Sequence, residues 1–194
     1  LRRLRSSPHE QPGISRTTFV GRRRELAALT EAFDAASDHA VSLLLRGDSG
    51  VGKTALARRF IEWLRTRGAL VFSGRCYERE TVAYKGIDQI VDALVDRLAG
   101  AVCPEASDLV HAFPSASRLI PAESSPAARI GHERRGAALR WLVERLAETG
   151  PILIVLDDIQ WSGSATSRFI AAMLEERDLP GLVFLASYRS EELT

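Results

Sequence analysis

The stretch Gly47-Asp48-Ser49-Gly50-Val51-Gly52-Lys53-Thr54 determines how the rest of the sequence is interpreted, because it matches the pattern GxxxxGK(S/T) in full. It follows the short apolar run Val41–Leu45 and precedes a segment with apolar residues at helical spacing. Its glycines allow successive backbone N–H groups to turn inward around phosphate oxygens, and the helix that follows adds its positive N-terminal end. This strand, turn and helix predict a site for the phosphates of a nucleoside triphosphate.

The predicted site assigns a role to each polar residue of this loop. Lys53 is expected to bind the β- and γ-phosphates as a mobile cation, and the Thr54 hydroxyl to take one position around Mg²⁺. The alternative is a glycine-rich turn that matches by accident, but Lys53 and Lys85 are the only lysines, which makes an accidental match rare. The residues predicted to bind the nucleotide here are Gly47, Asp48, Ser49, Gly50, Val51, Gly52, Lys53, Thr54 and Ala55.

Two carboxylates follow a second apolar run, Ile152–Leu156. We predict that Asp157 contacts Mg²⁺ at the tip of a buried strand, and that Asp158 orients or deprotonates the attacking water. The alternative is that these residues only end a strand, since aspartate favours turns. The upstream phosphate loop favours the catalytic interpretation.

The fold class follows from four apolar runs separated by segments of helical periodicity. Because the runs are apolar throughout, we predict a parallel sheet covered on both faces, an α/β three-layer sandwich. Between Pro104 and Pro126 we expect an irregular excursion with at most a short helix near Leu109–Phe113. The predicted strands are Val41–Leu45, Leu70–Phe72, Ile152–Leu156 and Leu182–Ala186.

The amino-acid composition limits which classes of partner the chain is expected to bind. The chain has 26 basic and 25 acidic residues, so it offers no domain-wide positive field for nucleic acid or an anionic membrane. It has no apolar stretch long enough to span a bilayer, and its two cysteines lack CxxC spacing, which together favour a cytoplasmic protein. Residues 1–17 are predicted to be a linker, with a nucleic-acid-binding arm as the alternative.

The motifs together resemble the AAA-like and STAND families of signalling ATPases, including AAA domains of the origin-recognition type. Phe19-Val20-Gly21-Arg22 looks like the family's N-terminal box, so Val20, Gly21 and Arg22 would pack around adenine; a turn that starts a helix is the alternative. Asp157-Asp158-Ile159-Gln160-Trp161 resembles the family's DDxxW motif. Leu185-Ala186-Ser187-Tyr188-Arg189 is similar to its sensor 1 strand, which would direct Arg189 to the γ-phosphate as a catalytic residue, with a merely solubilising arginine as the alternative.

The resemblance also implies a larger molecule. Two stretches, Gly74–Glu80 and Tyr188–Glu192, look most like the ATPase region that follows the kinase domain of large bacterial serine/threonine kinases, and next most like LuxR-type regulators. The chain itself has no HRD or DFG motif. The family resemblance implies the α/β fold of a P-loop NTPase of the ASCE class, whose parallel sheet has the strand order 5-1-4-3-2. We therefore expect the ATPase domain, residues 18–194, to lack a fifth strand and a winged-helix lid that would lie beyond Thr194.

The function that this resemblance implies is a switch that binds ATP and Mg²⁺ and hydrolyses ATP slowly. Its expected partners are neighbouring domains of the same polypeptide and, depending on nucleotide, further copies of itself. ATP is favoured over GTP because no NKxD stretch is present. The alternatives are a P-loop kinase of nucleotides or small molecules and a DNA-associated AAA initiator, although the charge balance makes nucleic acid an unfavourable partner for this segment.

Overall fold

Helices and strands alternate along the chain in the computed structural model, which describes residues 21–78, 83–122, 131–175 and 179–190. The predicted linker at residues 1–17 and Val20 of the predicted adenine box lie outside the described residues. No helix in the described part has the length and apolar character needed to cross a bilayer. The principal elements are α1 (Arg23–Ala35), β1 (Val41–Gly47), α2 (Lys53–Thr66), β2 (Leu70–Arg75), α3 (Ile87–Arg97), α4 (His132–Ala147), β3 (Ile152–Asp157), α5 (Ser164–Leu174) and β4 (Leu182–Arg189).

The four strands form one parallel sheet in the order β1-β4-β3-β2, as predicted for these four strands. Gly47 of β1 is paired with Arg189 of β4, and Arg75 of β2 with Asp157 of β3. Because parallel strands end at the same edge, these four residues meet where an open α/β sheet binds its ligands.

Helices lie on both faces of the sheet, which confirms the predicted three-layer sandwich. Coverage is incomplete at the edge strand β1, where alternate residues are exposed, Leu44 to 60%. On β3, Leu153 and Val155 pack into a core with α1 and α2, whereas Ile152, Ile154 and Leu156 pack into a larger core with α3, α4 and α5. Alternate side chains of a strand point to opposite faces, so a strand covered on both sides must be apolar throughout.

The segment between α3 and α4 differs from its prediction. Two short 3-10 helices, Pro104–Asp108 and Pro114–Leu119, occupy it, and residues 109–113 between them form a turn instead of the expected short helix. Each 3-10 helix begins with a proline, whose fixed φ suits a first helical position. This segment is part of the core, since its fully buried residues are Cys103, Ala106, Leu109, Phe113, Ala116 and Leu119.

Strands β2 and β4 each run three residues beyond the predicted apolar runs. The polar ends pair with their neighbours, as Ser73 does with Val155 and Gly74 with Leu156. Gly74 is required there, because a Cβ atom would overlap the carbonyl oxygen of Gly86 at the start of α3. The polar residues that end the strands are those that reach the site.

Candidate nucleotide-binding site

The phosphate loop has the backbone that its glycines predict. It connects β1 to α2, and both Gly50 and Gly52 have positive φ values, 78° and 88°, which other residues rarely adopt. Gly52 immediately precedes α2, whose first residue is Lys53. The N–H groups of the first turn of α2 therefore lie at the loop, where the helix dipole favours an anion.

The Lys53 side chain folds back over this loop. Its Nζ donates hydrogen bonds to the carbonyl oxygens of Gly47, at 2.6 Å, and Asp48, at 2.9 Å, and the residue is only 9% exposed. A lysine ammonium has three donors and turns freely on its stem. The ammonium group can therefore exchange these carbonyls for phosphate oxygens by rotation of its own side chain.

Thr54 and Asp157, the two predicted metal ligands, lie side by side. The Thr54 hydroxyl donates to Oδ2 of Asp157 at 3.4 Å, although 103 positions separate the two residues. Ser187 of β4 donates its hydroxyl to the other carboxylate oxygen of Asp157 and so fixes the orientation of that group. Two adjacent oxygen donors suit Mg²⁺, which takes one or two protein ligands and completes its shell with phosphates and water.

Asp158 is held from several sides at once. Its Oδ2 accepts hydrogen bonds from Arg75 Nη2, at 2.8 Å, and Nε, at 3.2 Å. Its Oδ1 accepts from Arg189 Nε and Gln160 Nε2, each at 3.3 Å, and its backbone N–H donates to the Ser187 hydroxyl at 3.1 Å. The residue is 6% exposed and has a positive φ of 55°, a conformation that aspartate tolerates better than most residues.

These contacts set the protonation state of Asp158. Burial raises the pKa of a carboxyl, but the hydrogen bonds from Arg75 and Gln160 and the charge of Arg189 outweigh it, so the pKa of Asp158 lies below its usual range. The hydrogen bond to Asp158 in turn raises the pKa of Arg75. Asp158 is therefore an ionised and weakly basic carboxylate in this arrangement.

The predicted adenine box adjoins the phosphate loop. Arg22, which precedes α1, donates a guanidinium hydrogen bond to the carbonyl oxygen of Val51, and both Gly21 and Arg22 have positive φ. This contact brings the beginning of α1 against the loop that would hold the phosphates. Ala55 lies exposed in the first turn of α2. The roles of Gly21, Arg22 and Ala55 in nucleotide binding stay predictions.

Arg189 ends β4 beside the phosphate loop, since it is paired with Gly47 across the sheet. Its guanidinium contacts Asp158, and its backbone N–H donates to Oε1 of Gln160 at 3.3 Å. It stays a predicted γ-phosphate ligand, because reaching a phosphate would require it to leave or share this contact.

Sequence reasoning gave no role in the site to Arg75, Ser187 or Gln160. A signal was available for two of them: Arg75 ends its strand as Asp157 ends its own, and Ser187 directly follows the apolar run Leu182–Ala186. No such signal was available for Gln160, because its hydrogen bond to Asp158 depends on the turn that places the two side chains together.

Comparison with known proteins agrees with this geometry. A family model described as the AAA ATPase domain matches residues 18–185. The chain belongs to this AAA ATPase family. Its function is therefore that of a nucleotide-binding ATPase domain.

Solved structures with a similar fold are distant in sequence. The Aeropyrum pernix ORC2 protein, in ADPNP–ADP complexes, is 18% identical with a TM-score of 0.50; the alignment covers 88% of this chain but 42% of that one. A structure of Drosophila ORC bound to AT-rich DNA and Cdc6 is 12% identical over 86% of this chain and 49% of that one, with a TM-score of 0.39. No curated protein matches the chain. The AAA domain thus spans less than half of the length of these structural relatives.

Proposed function

We propose that this AAA ATPase domain binds ATP with Mg²⁺ at the phosphate loop and hydrolyses it slowly, as a regulatory switch in a larger bacterial signalling protein. The observation that carries the proposal is the contact between Thr54 and Asp157 beside a loop whose lysine is held only by carbonyls. The two halves of a nucleotide site come from distant parts of the chain and meet at the carboxyl edge of one sheet.

Binding follows from the donors that surround the loop. Backbone N–H groups at the start of α2 would bind the phosphate oxygens, and Lys53 would exchange its two carbonyl partners for the β- and γ-phosphates. Thr54 and Asp157 would hold Mg²⁺, which supplies charge neutralisation at the phosphates when it is bound. Gly21 and Arg22 would border the adenine, and the adenine nucleotides of the ORC2 complexes support ATP as the ligand.

Slow hydrolysis follows from the ion pairs of Asp158. A carboxylate that already accepts hydrogen bonds from Arg75, Arg189 and Gln160 has little capacity left for a water molecule, and its depressed pKa makes it a poor base. Turnover would require Arg75 or Arg189 to leave the carboxylate. Binding and hydrolysis would then be separate events, as a switch requires.

The context of the switch rests on the resemblance to kinase-linked and LuxR-linked ATPase domains. We propose a cytoplasmic protein whose neighbouring domains detect the bound nucleotide, with nucleotide-dependent self-association as a second means of detection. The balance of basic and acidic residues does not favour DNA as a partner of this segment.

A single-turnover assay with ATP labelled at the γ-phosphate tests this proposal. We expect equal amounts of ADP and free phosphate, at a rate below about 1 s⁻¹, the lower end of ordinary enzyme turnover. Label transferred to a nucleotide or another acceptor, without free phosphate, would favour a P-loop kinase. Turnover well above that rate would contradict a slow switch.

A further inference from the structure

A cavity of about 310 Å³, here called the α2 cavity, lies between α2 and the sheet. It begins beside Thr54 and Asp157 and continues along α2, past Arg58 and Ile61, towards Gln89 of α3. Residues 47–53 do not line it. The α2 cavity therefore adjoins the predicted metal position and shares Thr54 and Asp157 with it, but it does not include residues 47–53 of the phosphate loop.

The lining of the α2 cavity is typical of a small-molecule site, with an apolar floor and a few polar groups at the rim. The rim carries two guanidinium groups, from Arg58 and Arg75, together with the polar side chains of Ser73 and Gln89. Among the described residues that line the cavity, Asp157 is the only carboxylate, and it is the residue predicted to hold Mg²⁺. The floor consists of Leu45, Ala57, Ile61, Val155 and Leu185.

The two arginines give the rim an excess of positive charge. Arg58 is exposed and forms no ion pair with any described residue. Arg75 binds Asp158 through Nε and Nη2, and its Nη1 makes no hydrogen bond within the described part of the chain. A guanidinium presents its donors in a planar fork that fits carboxylate and phosphate groups, so both arginines can receive an anionic ligand at the rim.

We propose that the α2 cavity binds a small organic anion with an apolar body, and that this anion competes with Asp158 for Arg75. The apolar body would lie on the floor, and the acidic group would bridge Arg58 and Arg75. Since Arg75 is one of the groups that hold Asp158, the ligand would release part of that hold and increase hydrolysis. This second step rests on the proposed function; the binding step does not.

Binding can be tested with cinnamate and cinnamyl alcohol, which share one apolar skeleton and differ in charge. We would titrate the wild-type chain with each probe in the absence of nucleotide and follow it by saturation-transfer NMR. We expect cinnamate to bind about tenfold more tightly, the ratio expected of a charge-assisted hydrogen bond. Equal affinity for the two probes would overturn the proposal.

The chain offers a matched pair of variants for locating the site. Arg58→Gln should weaken cinnamate binding about tenfold. Arg59→Gln should leave it unchanged, because the neighbouring Arg59 pairs with Glu62 on the outer surface of α2 and does not line the cavity. Loss of binding in both variants, or in neither, would overturn the assignment to this cavity.

A third variant tests whether the probes occupy the apolar floor of the α2 cavity. Ala57 is nearly buried and lines the cavity, so Ala57→Leu should fill part of it and weaken both probes, provided that circular dichroism shows a folded chain. Two probes that still bind a folded Ala57→Leu chain with wild-type affinity would show that they occupy another surface, and the proposal would fail. Arg58→Gln, an exposed substitution, gives the answer if Ala57→Leu does not fold.

The regulatory step has its own measurement. Cinnamate at saturation should increase the single-turnover rate of ATP hydrolysis about threefold in the wild type and leave Arg58→Gln unchanged. Cinnamate that binds without changing the rate would overturn the competition for Arg75. Failure of a fluorescent ATP analogue to bind would instead contradict the proposed function, and the nucleotide-free titrations would be unaffected.

Discussion

The phosphate loop holds a cation, Lys53, whereas the Asp158 cluster holds an anion. The Asp158 cluster consists of Asp158 and the three side chains that donate hydrogen bonds to its carboxylate, Arg75, Gln160 and Arg189. Lys53 is held by two backbone carbonyls that lie five and six positions away along the chain. Asp158 is held by the side chains of Arg75 and Arg189, which come from two other strands and lie 83 and 31 positions away. The cation has neutral partners, whereas the anion already has oppositely charged ones.

This difference separates two events in the proposed cycle. Phosphate can replace neutral carbonyls around Lys53 at little cost, because a charge-assisted hydrogen bond is stronger than a neutral one. A water molecule can use Asp158 only after an ion pair opens. We therefore expect loop variants to change nucleotide affinity and cluster variants to change turnover.

The largest expected effect is on the loop. Lys53→Ala should weaken binding of a fluorescent ATP analogue about 100-fold or more, because the only side-chain cation of the loop is lost. Lys85→Ala is the matched control, since Lys85 is the one other lysine and pairs with Asp88 at the start of α3. If both variants kept wild-type affinity, the loop would have no role in binding.

Within the cluster, Asp158→Asn should leave the affinity for the ATP analogue within about twofold of wild type and reduce phosphate release about 100-fold, as expected for loss of a general base. The amide keeps the shape of the carboxylate but cannot take a proton from water. Equal turnover in wild type and variant, measured by single-turnover phosphate release, would show that another residue handles the water.

Arg75→Gln tests whether the ion pair with Arg75 restrains Asp158. Without Arg75, burial has more influence on the pKa of Asp158, which should rise towards its usual value. The carboxylate would become a better base with fewer partners, so turnover should increase about threefold at neutral pH. Because a higher pKa protonates the base sooner as pH falls, the acid limb of the rate profile should move to higher pH.

The direction of the change in turnover for Arg75→Gln tests this interpretation. Arg59→Gln removes an exposed arginine remote from the site and should change neither the rate nor its pH profile. A decrease in turnover for Arg75→Gln would mean that Arg75 acts on the phosphates and does not restrain Asp158.

The smallest expected effect is at the edge of the loop. Arg22→Ala removes the hydrogen bond to the Val51 carbonyl and should weaken nucleotide binding about threefold, as is typical for a partly solvated contact. Turnover of bound nucleotide should not change. A change in turnover with unchanged affinity, in titrations run beside single-turnover assays, would place Arg22 with the cluster and not with the loop.

The same contrast explains how much could be predicted from the sequence. The loop from Gly47 to Thr54 is local, and its glycines and lysine specify its backbone within eight positions, as Gly50 and Gly52 confirm. The four apolar runs predicted a parallel sheet covered on both faces. This holds for β3 and for most of β4, whereas alternate residues of β1, such as Leu44, are exposed.

Contacts between distant residues could not be derived in this way. Arg75 reaches Asp158 because β2 pairs with β3 in one particular register, and no local pattern fixes that register. Residues 109–113, where at most a short helix was expected, are a related case: Leu109 and Phe113 are spaced as in a helix, but the segment forms a turn in which Phe113 is buried against the rings of Tyr84 and Phe169. Tertiary contacts decide both features.

Above all, we propose that Thr54 and Asp157 together hold Mg²⁺ beside a triphosphate bound to the loop. Titration of the fluorescent ATP analogue with Mg²⁺, and again with EDTA, tests it most directly in the wild type and in Asp157→Asn. We predict that Mg²⁺ tightens binding at least about tenfold in the wild type and much less in the variant. Equal affinity with and without Mg²⁺ in the wild type, or the same Mg²⁺ effect in both chains, would contradict the account.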